Sequence, residues 1–245
     1  MTPQQKQQYL YKWDRFQKRY ERIYTTKFKA ALHEQVQQYI RTRHITAEPI
    51  HKVLVDLYKT VGGLWANQAR LHVEKQVKAR MPMGWNERIV ELMKQYYGID
   101  LLNDAELMTR KSREIIVEVL GDAALTGASI NDIVRALETS PGFNAMRARR
   151  IARTETVTAA NGAAVIHAKE TGHAKNKIWL SIRDKRTRHS HIMVDDAKVP
   201  IDSPFNVNGT MMMQPGVRKQ PNGLETPAKE VVNCRCTVAF EVIED

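Results

Sequence analysis

The sequence predicts an α+β protein, with a long helical N-terminal half followed by a small C-terminal α+β domain that carries a short antiparallel sheet. Three observations carry that expectation. Large apolar residues recur at helical spacing through the first half, and the period drops to two residues after Gly172. Pro, Gly and Asn then gather between residues 199 and 223. The chain has 245 residues, enough for two modest domains, and the change of character places the division at 140/141.

From Gln4 to about Ile40 there is neither Gly nor Pro, and Tyr9, Trp13, Phe16, Tyr20, Tyr24 and Phe28 step along one face. Spacings of three to five residues track the 3.6-residue turn, so the segment reads as one amphipathic helix. A second helix should run from Thr46 or Glu48 to Lys59, be interrupted at Gly62-Gly63, and give way to a third from Leu64 to Arg80. Pro82 and Gly84 should punctuate the chain, Asn86 should cap a short helix ending at Gly98, and Asn103 or Asp104 should open the next, through Leu125. Ser129 with Asp132 has the spacing of a capping box, and Ser140-Pro141-Gly142 should close the helix that it starts. A helix from Asn144 to about Thr171 follows. Ala148, Ala152, Glu155, Ala159, Ala163 and Ile166 form an apolar stripe on it with one carboxylate inside. A core-facing carboxylate needs a partner, so an arginine is expected against Glu155, Arg188 first among those of the loop after Trp179. Lys177 to Ile182 alternates as a strand, and Val231 to Phe240 reads as another.

Charge divides the chain as sharply as periodicity does. Of the formal net charge of +11, residues 1–80 carry +10, with 16 Lys or Arg against 6 Asp or Glu. Such a block favours an anionic partner, a polyanion or an acidic protein surface, over a merely solvated face. Its cations Lys12, Arg15, Lys18, Arg19, Arg22, Lys27 and Lys29 lie between the aromatics of the first helix. Either the rings stack on single-stranded nucleic acid, or they pack on protein while the cations face water. The helical period favours the second, because a stacking platform requires no period. No apolar run approaches the ~18 residues of a membrane helix, and the N-terminus lacks the pattern of a signal peptide. Two cysteines, Cys234 and Cys236, are too close to bridge without strain, which fits a reducing cytoplasm.

Between Asn144 and Phe240 a set of short motifs occurs in order. Ala152-Arg153-Thr154-Glu155 is followed by Asn161, then by Trp179 leading into Asp184-x-Arg186-Thr187-Arg188-x-x-His191. Val199-Pro200-Ile201-Asp202 and Phe205 come next, and Asn233-Cys234-Arg235-Cys236 ends the set. Over roughly residues 145–240 this order resembles the phage Mu F-like head morphogenesis family. The resemblance implies a minor head protein of a tailed phage or prophage, associated with the portal and made in the bacterial cytoplasm before joining the virion. Its implied partners are the portal protein, capsid or scaffold components, and double-stranded DNA inside the head, and no membrane. The motif residues are expected to be structural. On this reading residues 1–140 are a basic helical arm facing portal or DNA, and residues 141–245 are the head morphogenesis domain. A nucleic-acid-binding accessory protein that uses the same basic helices is the alternative.

Many family members carry Cys-x-x-Cys where Arg188 and His191 stand here, and His-Pro where Val231-Val232 stands. His189, His191, Cys234 and Cys236 would still make a tetrahedral Cys2His2 set for zinc. Their spacing is narrower than the usual zinc signature and the family's ligand pattern is broken at Arg188, so the expectation is no metal and no cofactor. A metal-dependent enzyme is the least favoured reading. No Gly-x-Ser-x-Gly, phosphate-binding loop or His-Glu-x-x-His accompanies the acidic and histidine residues. Relatives of this kind sometimes carry a toxin domain after the head domain, and with nine residues following Cys236 none is expected here.

Overall fold

The computed structural model describes residues 1–77 and 85–242 and is α+β, as the periodicities predict. Helix α1 (Pro3–Thr42) is continuous, as expected of a segment without Gly or internal Pro. Helix α2 (Glu48–Leu57) passes through a π-helical turn, Tyr58–Gly62, into α3 (Gly63–Val77). The break predicted at Gly62-Gly63 is therefore a π-turn, in which the helical path is kept. Gly62 serves close packing instead: a Cβ there would meet the Met93 side chain at 2.4 Å and the Ala163 Cβ at 3.3 Å.

The two helices predicted around residues 86–98 and 103–125 are one, α4 (Trp85–Thr126). Gly98 sits within it, exposed and with nothing within 4 Å of where a Cβ would stand, so a lone glycine weakens the helix without ending it. The predicted turn at Pro82 and Gly84, and the side chain of Asn86, lie outside the described residues. The capping box forms as expected: Ser129 Oγ accepts from the Asp132 N–H at 3.3 Å, and the Asp132 carboxylate accepts from the Ser129 N–H at 3.2 Å. It opens α5 (Ile130–Thr139), which ends before a 3-10 turn at Pro141–Phe143.

Helix α6 (Ala145–Thr171) is followed by β1 (Ala174–Leu180), α7 (His189–Met193), β2 (Lys198–Pro200), β3 (Phe205–Val207), β4 (Thr210–Met212), α8 (Ala228–Val231) and β5 (Thr237–Val242). The sheet has the order β2-β1-β5 and is antiparallel throughout, with Ile178 opposite both Lys198 and Ala239. β3 and β4 pair as a separate hairpin. Two departures from expectation bear on the site. Residues 189–193 form a short helix within what reads from sequence as the loop after Trp179. The last strand starts at Thr237, because residues 228–231 are helical and Asn233 takes a left-handed φ of 60°. Cys234 and Cys236 thus precede the strand.

Packing groups the chain differently from a division at 140/141. One compact unit comprises residues 1–20, 57–95 and 153–245, and the other residues 21–56 and 96–152. In the first, the inward face of α1 is aromatic. Trp13 is fully buried, its ring 4.7 Å from Trp65, with its Nε1 donating to the Arg235 carbonyl at 2.7 Å. Tyr9 donates its hydroxyl to the Val238 carbonyl at 2.9 Å. In the second unit, Tyr24, Phe28, Leu32 and Val36 of α1 are buried together with Ile50, Leu54, Ala105 and Leu137. Its buried polar anchor is Arg147, which donates to Ser112 Oγ and to the carbonyls of Gly142 and Met108 at 2.7–3.1 Å. Burial lowers that guanidinium to about 10. Among the described residues, no helix is long and apolar enough to cross a membrane.

Candidate functional site

The motif residues converge in the first unit, around the small-residue face of α6. Ala148, Ala152, Glu155, Ala159, Ala163 and Ile166 are all buried, as the stripe predicts. Glu155 meets an arginine, but the arginine is Arg218, with the Tyr58 hydroxyl donating to the other carboxylate oxygen at 3.1 Å. The π-turn supplies that tyrosine, and the loop before α8 supplies Arg218. Arg188 has a different task. Its backbone precedes α7, and its guanidinium donates to the Val232 carbonyl, which puts it out of the Glu155 pair.

Asn161 is the central polar node. Its amide nitrogen donates to the carbonyls of Cys236 at 3.1 Å and Pro215 at 3.3 Å. Its oxygen accepts from Thr237 Oγ1 at 3.0 Å and the Val238 N–H at 3.1 Å. A fully buried amide that satisfies both ends in this way fixes helix, loop and strand in one arrangement. One turn earlier, Thr158 Oγ1 lies 3.0 Å from the Gly216 carbonyl. Gly216 (φ 84°) is so close that an added Cβ would fall 3.0–3.1 Å from Thr158 atoms, which leaves glycine as the residue that fits. Thr154 Oγ1 accepts from the Asn233 N–H at 3.1 Å, and Arg153 reaches the Asn233 side chain at 3.3 Å.

Asp184 organises its loop. Oδ1 accepts from the Arg186 N–H at 2.9 Å and Thr187 Oγ1 at 3.3 Å, and both carboxylate oxygens accept from Arg235. This forked pair holds the Asp184 carboxyl well below the usual carboxylate range and raises the Arg235 guanidinium. Arg186 is exposed, its guanidinium 3.5 Å from the same carboxylate. Trp179 is fully buried, with the rings of His191 and Phe205 each standing edge-on at 5.3 Å.

His191, Cys234 and Cys236 are buried together. His191 Nδ1 lies 3.6 Å from Cys234 Sγ and 3.4 Å from Cys236 Sγ, while Nε2 faces a Glu230 carboxylate oxygen at 3.1 Å. The Cys236 N–H donates to Cys234 Sγ at 3.4 Å. The contact between the two thiols pushes the acidity of Cys234 up and that of Cys236 down; in pKa terms they are lowered and raised, burial adding to the rise. His189, the fourth member of the set considered from sequence, is exposed and stands apart from this group. Glu230, Tyr58 and Arg218 carried no signal in the sequence, because each reaches its motif partner across 39 to 97 residues of chain.

The seven cations interleaved with the aromatics of α1, Lys12, Arg15, Lys18, Arg19, Arg22, Lys27 and Lys29, are exposed. Lys18 pairs with Asp14 at 2.6 Å and Lys27 with Asp56 at 2.5 Å. Arg15 lies over the Tyr11 ring and Arg19 over that of Tyr20. Of the aromatics between them, Trp13, Tyr24 and Phe28 are buried, Phe16 and Tyr20 are half-buried and Tyr11 is exposed.

The fold and its interlocked polar motif define an α+β module, with α6 set against a small antiparallel sheet. The chain belongs to the Phage Mu protein F like family, whose model matches residues 114–239. The match reaches upstream of the motifs into α4. Over 140 residues the chain is 30% identical to a Bacillus subtilis protein described as "Uncharacterized protein YqbB", covering 55% of this chain and 44% of that one. Over 126 residues it is 35% identical to the "NAD(+)--arginine ADP-ribosyltransferase EFV" of Enterococcus faecalis, covering 48% of this chain and 23% of that one. The chain thus spans less than half the length of either relative. No solved structure matches it.

Proposed function

We propose that the protein is a portal-associated minor head protein of a tailed phage or prophage, acting in head assembly in a structural rather than catalytic role. The observation that carries this reading is the family match over residues 114–239, joined to motif residues whose polar atoms are used on one another. Arg153, Asn161, Asp184 and Arg235 hold helix, loops and strand together, which is the work of a scaffold.

The exposed cations of α1 are assigned to packaged double-stranded DNA. Burial takes Trp13, Tyr24 and Phe28 away from unpaired bases, so charge contact with phosphates is the mode that this face favours. The test is co-expression with the portal protein of the same phage or prophage, followed by co-purification and by DNA retention across a salt series. The expected result is a portal complex and retention that falls steeply with salt. Salt-insensitive retention would assign the basic face to protein, and failure to capture portal would remove the portal from the reading.

A further inference from the structure

We propose that His191 Nδ1, Cys234 Sγ and Cys236 Sγ form a binding site for a borderline-soft divalent cation, zinc above all. The proposal stands apart from the head-assembly reading and replaces the expectation of a metal-free protein. That expectation considered four ligands with His189 among them, and assumed that Arg188 interrupts the set.

The three ligand atoms lie within 4.8 Å of one another on side chains that are no more than 2% exposed. Zinc–sulfur bonds of about 2.3 Å and zinc–nitrogen bonds of about 2.0–2.1 Å, meeting at a tetrahedral angle, separate nitrogen from sulfur by about 3.6 Å. The two separations observed are 3.6 and 3.4 Å. They match the two nitrogen–sulfur edges that such a tetrahedron requires.

A second observation is independent of those distances. Glu230 faces Nε2 of His191 at 3.1 Å and is itself held by Ser190 Oγ at 2.8 Å. A hydrogen bond between Nε2 and that carboxylate fixes the ring with Nδ1 facing both sulfurs, the arrangement that the outer partner of a metal-ligating histidine gives. Cys236 Sγ also lies 3.5 Å from Ser181 Oγ, so the thiols without a cation share weak contacts with Nδ1, Ser181 and each other. A cation bound to both thiolates satisfies all three groups at once. The Cys236 N–H, 3.4 Å from Cys234 Sγ, is placed to stabilise a thiolate. The left-handed turn at Asn233 brings the two cysteines, which precede β5, onto His191 of α7. Among the described residues no further His, Cys, Asp or Glu joins the set, so the fourth position falls to water or another small ligand.

A row of Glu230, His191 and a cysteine also has the order of an activated nucleophile. Both sulfurs are buried, however, and a nucleophile must be reached. The deciding experiment is elemental analysis of the full chain, purified without chelator and again after equilibration with excess zinc or cobalt(II) alone. One metal per chain and a sulfur-to-cobalt charge-transfer band are expected. Cys234→Ser and His191→Ala should each lower metal content at least tenfold, and His189→Ala should leave it unchanged. Glu230→Gln should weaken zinc affinity by about 10–100-fold while keeping the cobalt band. A chain that takes up neither ion, or that keeps one metal per chain with both cysteines replaced by serine, would overturn the proposal. So would rapid alkylation of either thiol in the zinc-equilibrated, folded protein. Should the variants fail to fold, the cobalt spectrum of the unaltered chain decides.

Discussion

Replacing Arg218 with alanine leaves the Glu155 carboxylate, 1% exposed, with the Tyr58 hydroxyl as its remaining described donor. Breaking a buried ion pair from one side costs about 3–5 kcal/mol, and a hydrogen bond to a charged group offsets about 1.5–3 of that. The expected loss is therefore about 2–3 kcal/mol. Glu155→Gln is the milder perturbation. It keeps the shape and an acceptor for Tyr58, and it strands an arginine that is already 33% exposed and can rehydrate, so roughly 1 kcal/mol should be lost. For a chain of this size, 1 kcal/mol moves Tm by roughly 2–4 °C, so Arg218→Ala should melt about 4–12 °C lower. Urea and thermal unfolding of the two single variants and the double variant, assembled as a cycle, read the coupling directly. A coupling above about 1 kcal/mol is expected, and Glu155→Gln with Arg188→Ala should instead be additive. The reasoning is refuted if the Glu155–Arg218 cycle closes to within about 0.5 kcal/mol, or if Glu155→Gln proves the costlier change.

Other expectations follow from the same structure. Burial brings the Lys177 ammonium, beside Phe205, down to about 7. The unfolded chain then binds the extra proton between about pH 7 and 10, and stability should climb with pH across that window. Lys177→Met should accordingly stabilise the fold, on the order of 4 kcal/mol at pH 7 and below about 1 at pH 10 by denaturant titration; equal effects at both would refute it. His167, lowered by burial to about 4, should withdraw stability as pH falls from about 6.5 to 4, and His167→Phe should flatten that slope. Trp13→Ala should cost about 3–5 kcal/mol, because it empties a fully buried site and strands the Arg235 carbonyl; a loss under about 1 would mean that α1 is not anchored there. Each of Arg22→Gln and Lys29→Gln should reduce the slope of log DNA affinity against log salt by about 1.

How much of this was legible depended on sequence distance. The α1 helix, the capping box at Ser129 and the buried stripe of α6 are written in local spacing, and the structure reproduces them. The motif order that resembles the family was also readable, because it is a linear pattern. Partners were not. Nothing in the local sequence ties Glu155 to Arg218, and the nearer Arg188 was the natural expectation until its guanidinium proved committed to the Val232 carbonyl. Local rules also misplaced two boundaries. Gly98 did not end α4, and the apolar run from Val231 did not become strand until Thr237. In the second case Asn233, in the left-handed region, turns the chain and sends both thiols toward His191.

The central claim, a minor head protein joined to the portal, is tested most directly by counting copies. Quantitative mass spectrometry of purified heads, from particles assembled with and without portal protein, gives that number. The account predicts few copies per head, far below major capsid protein, and their loss when portal is absent. Capsid-level abundance, portal-independent incorporation or absence from heads would contradict it.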